Sequence, residues 1–198
     1  MKKIISLLLL CMAILPMSAQ KRKLELSIYG GTQSYTKFGN AYKYTFQTGF
    51  GFGAQSKYYL SNRVFWATDL YGGTDGGSDW MLTGLPGVGF RYIGMCRRDY
   101  SITTGVGFNY VSTKLLDCYL QMNLGVGIVD GYYHDVLPPD YGAVTISLLK
   151  PSYMIAPSTG IDFKIADKWK LGLGYTFRYL GDVDGSHSVF ARVTYVLK

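Results

Sequence analysis

The stretch 44–60, YTFQTGFGFGAQSKYYL, decides the fold. Its even-numbered residues are Tyr44, Phe46, Thr48, Phe50, Phe52, Ala54, Ser56, Tyr58 and Leu60. The odd-numbered ones are Thr45, Gln47, Gly49, Gly51, Gly53, Gln55, Lys57 and Tyr59. Successive side chains of a strand point to opposite faces, so one face here is apolar and the other is glycine and polar. Outward from this stretch the same period-two pattern recurs at 24–29, 64–70, 88–93, 100–110, 120–128, 161–165, 171–179 and 189–197.

A soluble sandwich or a lipocalin-like barrel also alternates. Three features point instead to a closed antiparallel up-and-down barrel in a membrane. Aromatics stand at the ends of the apolar faces: Tyr44 and Tyr58, Tyr100 and Tyr110, Tyr175 and Tyr179, with Trp66 and Trp169 beside short turns. Tyr and Trp settle where lipid meets water and form two girdles around such barrels. The opposite faces are small and polar, as a narrow lumen needs, with few of the Lys and Glu residues that bulk water favours. Finally, the long connection 72–78 (GGTDGGS) contrasts with tight links at Ser61-Asn62-Arg63, 96–99 and Ala166-Asp167-Lys168. Such barrels place long loops outside and short turns in the periplasm.

Composition agrees. The 198 residues include 25 Gly and 18 Tyr, only 17% are charged, and the net charge is +7. A disordered chain would be rich in charge and poor in aromatics, and collagen would show a strict glycine period. The N-terminus reads as a secretory signal over 1–19. Lys2 and Lys3 precede an apolar run at 4–15, Pro16 breaks it, and Ala19 supplies the small residue before the cut. That run makes about 18 Å of helix, too short for a hydrocarbon core. Its removal takes two of the 20 basic residues, leaving 18 against 13 acidic ones. With no basic run longer than Lys21-Arg22-Lys23, nucleic acid is not a partner. Residues 20–198 then form one domain.

The chain resembles the small outer-membrane β-barrel proteins of Gram-negative bacteria, those of the Bacteroidetes type in particular. The resemblance rests on the MSAQ signal end, on strand centres such as Gly49-Phe50-Gly51-Phe52, Gly87-Val88-Gly89-Phe90, Gly105-Val106-Gly107-Phe108 and Gly125-Val126-Gly127-Ile128, and on 189–197 as a closing strand. It implies export by the Sec route, residence in the outer membrane with both termini periplasmic, and contact with outer-membrane lipid, lipopolysaccharide and the barrel-assembly machinery. Such barrels usually finish on an aromatic residue, whereas this chain ends Tyr195-Val196-Leu197-Lys198. A monomer is expected. Nine segments alternate convincingly, and bacterial barrels use even strand numbers. Eight strands fit the length best; ten follow if Lys150-Pro151 splits 143–165.

Charges of the inward phase are Glu25, Lys57, Asp69, Arg91, Asp162, Lys164, Arg178 and Arg192. They are expected to pair as a structural plug, because eight strands leave an interior just wide enough for side chains. An ion pathway is the alternative. The catalytic inventory is thin. His187 stands between Ser186 and Ser188, and outer-membrane lipid A deacylases use a His and a Ser near the rim. That resemblance implies an acyl hydrolase in which a serine is nucleophile, His187 the base, and Asp182 or Asp184 the orienting carboxylate. No acidic residue follows His187, and Val189 stands where that family has Asn. Cys96 and Cys118 match no zinc spacing, although an exported protein could oxidise them. His134-Asp135, and Asp75, Asp79 and Trp80, read as loop chemistry rather than metal or ligand sites. No cofactor is implied. The expected role is structural or surface-interactive through extracellular loops, with a narrow pore and a rim acyl hydrolase as alternatives.

Overall fold

The computed structural model describes residues 23–35, 48–74, 83–85, 89–136, 143–181 and 183–197, with backbone alone described for 83–85, 89–97, 131–136, 143–150 and 183–184. The signal segment 1–19 and Tyr44 lie outside these residues. Nine strands follow one another: β1 Leu24–Tyr35, β2 Thr48–Tyr59, β3 Val64–Thr74, β4 Thr83–Leu85, β5 Gly89–Ser112, β6 Leu116–Val136, β7 Ala143–Ala166, β8 Trp169–Leu180 and β9 Val183–Leu197. All pair antiparallel with their sequence neighbours except that β3 pairs with β5, and β1 with β9, closing an eight-stranded barrel. The short β4 pairs only with the start of β5 and is not part of the wall.

Two readings of the sequence are corrected here. The stretches 89–93 and 100–110 belong to one strand, and 96–99 is not a turn but the middle of β5, where Cys96 pairs with Tyr132 and Asp99 with Val129. The apolar phase is even-numbered on both sides of 96–99, so nothing interrupts the strand. Likewise Lys150-Pro151 does not split β7, whose register with β6 is unbroken from Val136↔Ala143 to Leu116↔Phe163. Pro151 lies past the last β8 pair, Met154↔Leu180, on the side where its missing N–H has no strand to serve. Pro157 is accommodated where the β7–β8 ladder skips Ala156 and Pro157 without changing register.

The Ser112–Asp117 link is a tight turn on the same rim as Ser61-Asn62-Arg63 and Asp167-Lys168. Ser61 Oγ accepts from Arg63 N and Val64 N, and Thr113 Oγ1 accepts from Leu115 N and Leu116 N. Such hydroxyl-to-backbone bonds set tight turns. Cys118 pairs with Val111 near this rim, whereas Cys96 sits far up β5 opposite Tyr132. At about 3.3 Å per residue the two lie roughly 45 Å apart, beyond any disulfide. Cys118 is free and half-buried.

Following paired residues once around the wall, from Thr159 through Tyr175, Val189, Thr32, Phe50, Thr74, Arg98 and Asp130, returns to β7 at Leu149, ten residues along. That stagger tilts the strands by roughly 40°. Burial follows the alternation. Ile28, Phe52, Leu124 and Leu173 are exposed on the outer wall at 68%, 70%, 57% and 61%, while their chain neighbours Tyr29, Asn123 and Thr103 of the paired strand are buried. An outer wall this apolar suits hydrocarbon and not water. Tyr58, Trp66, Tyr110, Trp169 and Tyr195 ring the wall at the turn end, with Trp169 and Tyr195 edge-on at 4.9 Å. Tyr100, Tyr153 and Tyr179 mark the far end. Tyr100 and Tyr110 of one strand are then separated by roughly 25 Å along the axis, the height of an outer-membrane apolar band.

Several inward glycines are sockets for rings from other strands. A Cβ on Gly53 would fall inside the Tyr29 ring, one on Gly107 inside Phe65, and one on Gly174 against Phe190. Gly107→Val is therefore expected to lower stability by about 1–3 kcal/mol. Leu124→Arg, on the lipid wall, should cost about 2–4 kcal/mol. Both are read by urea unfolding of the barrel in lipid vesicles, with the outward-facing Val126→Ile as a control that should change little.

Candidate functional site

Alternation aims charged residues of all eight wall strands into a lumen too narrow to hydrate them separately, so they meet one another in layers. At the turn end Lys170 Nζ bonds Glu25 Oε1 at 2.5 Å and Asp117 Oδ2 at 2.7 Å. Lys23 adds to Glu25 at 2.5 Å, and Lys164 to Asp117 at 2.8 Å. Tyr59 OH donates to Glu25 Oε2 at 3.3 Å, and Ser112 Oγ to Asp117 Oδ1 at 2.6 Å. Lys164 stays partly open at the rim, 27% exposed, whereas Lys170, Glu25 and Asp117 are buried.

One layer further in, Arg192 binds Asp162 through both Nε, at 2.7 Å, and Nη2. Its Nη1 donates to Gln55 Oε1 at 3.2 Å. Lys57 Nζ lies 3.7 Å from the same carboxylate and rests on the rings of Tyr119, 3.8 Å from its centroid, and Phe65. Above this Tyr29 OH donates to Asp69 at 2.9 Å, and Arg178 donates to Tyr29 OH at 3.2 Å and to Ser188 Oγ at 2.7 Å. Arg178 also stacks on Tyr71, 3.4 Å from the centroid. Higher still, Gln33 Nε2 donates to Asp99 Oδ2 at 3.2 Å. At the far end the lumen turns apolar, with Val129, Met154 and Leu180 fully buried.

The expected lumen charges thus separate into three groups: Glu25 and Lys164 at the rim, Lys57, Asp162 and Arg192 at mid-height, and Asp69 with Arg178 above. Arg91 lies on β5 opposite Thr83, and its side chain is outside the described residues. Sequence reasoning missed Asp117, Lys170 and Asp99. All three have inward parity, but Asp117 and Lys170 adjoin turns, and Asp99 fell in a stretch read as a turn. It placed Tyr29, Gln55 and Tyr59 on the polar face but gave them no partners, because which strands meet across the lumen is not written in any one strand.

The His187 constellation is not assembled. Ser186 and Ser188 point inward and are buried, and Ser188 serves Arg178. His187, between them, points outward, with Nδ1 2.6 Å from Tyr175 OH and the Phe177 ring 4.9 Å away. Adjacent residues of one strand cannot share a face. Asp182 and the side chain of Asp184 lie outside the described residues. Tyr175 consequently stands mid-strand on the apolar wall, its hydroxyl satisfied by His187, and only Tyr179 of that pair reaches the far girdle. Among the described residues no cluster of His, Cys, Asp and Glu could hold a metal.

A closed, antiparallel eight-stranded wall with stagger ten, an apolar belt between aromatic rings and an ion-paired lumen leaves one architectural type. This is a small barrel of the outer-membrane type. Its fold matches that of Ail, the attachment invasion locus protein of Yersinia pestis, with TM-score 0.58 and 17% identity over 90% of this chain and 100% of that one. Neisserial surface protein A is equally similar, with TM-score 0.58 and 15% identity over 88% and 96%. The Yersinia pestis protein in a phospholipid bilayer nanodisc matches at TM-score 0.50 and 20% identity, over 89% and 100%. Neither organism belongs to the Bacteroidetes. No protein-family model matches the chain, and no curated protein matches it.

The barrel's mid-lumen pair sets a clear contrast between two cations. Arg192→Met strips the bidentate partner from buried Asp162 and is expected to cost about 3–5 kcal/mol. Lys57→Met leaves Asp162 held by Arg192 and puts an apolar chain against Tyr119 and Phe65, so its cost should stay below about 1 kcal/mol. Urea unfolding in vesicles compares them.

Proposed function

We propose that this barrel is a surface-interaction protein of the outer membrane, with both termini and the short turns in the periplasm and a lumen that is structural rather than conducting or catalytic. The observation that carries the reading is the unequal height of the wall. Among the described residues β5 pairs with β3 from Arg98, yet with β6 from Tyr92, and β7 pairs with β8 from Met154, yet with β6 from Ala143. Three strands therefore continue past the far girdle as a blade, by roughly 25 Å. A conduit would have no use for such a blade, and a lumen filled by ion pairs and rings supports the structural reading. The wall that the blade crosses on its way out would touch lipopolysaccharide, and β9 is the strand offered to the assembly machinery.

The blade carries its interaction surface on the β7 edge. Tyr153 O accepts from Gly181 N, so odd-numbered residues of β7 aim their backbone groups toward the β8 side. Above Tyr153 no strand among the described residues pairs with that side, leaving Thr145, Ser147 and Leu149 with N–H and C=O groups offered to an extended partner. Purified protein in planar bilayers is expected to give no conductance steps; discrete steps would sink the structural lumen. Cells displaying the barrel should adhere to immobilised extracellular proteins, and Ser147→Pro, which removes one edge donor and leaves the β6 pairing in place, should lower adhesion several-fold at equal surface amount. Unchanged adhesion would remove the edge from the proposal.

A further inference from the structure

The turn rim carries a charge pattern that the lumen does not use. Each of its three turns presents one basic residue: Arg63 between β2 and β3, Lys114 between β5 and β6, and Lys168 between β7 and β8. All three are exposed, and none makes an ion pair among the described residues. The carboxylates nearest the rim are already committed. Glu25 is held by Lys170 and Lys23, and Asp117 by Lys170 and Lys164. Asp167 is the one exposed acid of the described turns. The rim therefore ends in a net positive ring.

A second feature sets the level of that ring. Leu60, Leu115, Ile165 and Leu197 are outward at the same rim, exposed at 44%, 73%, 59% and 40%. Just inside them stand Tyr58, Trp66, Tyr110, Trp169 and Tyr195. Apolar side chains this close to the turns, beneath an interfacial aromatic girdle, bring the hydrocarbon boundary down to the turns themselves. The basic residues then fall at the depth of lipid headgroups, not in bulk water.

We propose that the turn rim is a binding surface for anionic phospholipid, with Arg63, Lys114 and Lys168 each meeting a headgroup phosphate and the girdle holding the acyl chains in place. The proposal rests on the reading that this rim faces the periplasm, where the adjoining leaflet supplies phospholipid. Arg63 can take a phosphate bidentately, and the two lysines act as point charges. Near a membrane surface each such cation is worth on the order of a fivefold preference for anionic lipid.

The test uses the full mature chain in nanodiscs of phosphatidylcholine containing a minor share of phosphatidylglycerol, with retained lipids counted by native mass spectrometry. The wild type should retain phosphatidylglycerol about fivefold or more above its bulk share. Arg63→Gln, Lys114→Gln and Lys168→Gln together should bring the ratio back to bulk, while Arg63→Lys, Lys114→Arg and Lys168→Arg together keep it. Heat-modifiable migration on an unboiled gel confirms that each variant is a folded barrel. A wild type without preference, or a glutamine variant that keeps it, overturns the proposal. So does a third arm in which lipid A displaces phosphatidylglycerol from the same residues. Orientation is read separately, by an impermeant maleimide on Asn62→Cys with Cys96→Ser and Cys118→Ser. Protection in intact cells supports the periplasmic rim; labelling there fails that reading, and the phospholipid assignment with it.

Discussion

A strand in hydrocarbon must pair both of its edges, because no water is present to take its N–H and C=O groups, and this constraint underlies the rest of the structure. It closes β3 onto β5 and β1 onto β9. Closure with eight strands makes the lumen narrow. A narrow lumen in turn dictates what the inward residues can be: glycines where a ring from another strand must lie, and charges only where an opposite charge is in reach. The constraint relaxes past the far girdle, and there, among the described residues, β5, β6 and β7 continue to pair with one another.

Burying so many charges is not in itself a source of stability, since apolar side chains of the same volume often serve as well or better. What the ion pairs provide is register. Lys170 reaches across to Glu25 and Asp117, and Arg192 links β9 to Asp162 on β7 and Gln55 on β2. A slip of one residue would turn each of these groups toward lipid. Aromatic faces share the work: Tyr119 and Phe65 lie under Lys57, and Tyr71 under Arg178, so the cations are solvated by rings where carboxylates run out.

Much of this was legible in the residues. The inward placement of Lys57, Asp162, Arg178 and Arg192 follows from parity alone, as does the outward placement of Trp66 and Trp169. The readings that failed did so for identifiable reasons. Charged pairs such as Arg97-Arg98 beside Asp99 look like a turn when strands are assumed to end at the membrane boundary, yet the parity across them is continuous. Lys150-Pro151 looks like a break when a proline is assumed to need a donor on both sides.

The sequence by itself determined which side of the wall each residue occupies, because strand alternation is a local property of the backbone. It marked the tight turns at Ser61-Asn62-Arg63 and Ala166-Asp167-Lys168 as well. Only the tertiary structure decided which inward residues meet. Partners in the lumen are set by the stagger of ten residues around the closed sheet, a global quantity that no single strand contains. That stagger brings Glu25 beside Lys170 and Tyr29 beside Arg178.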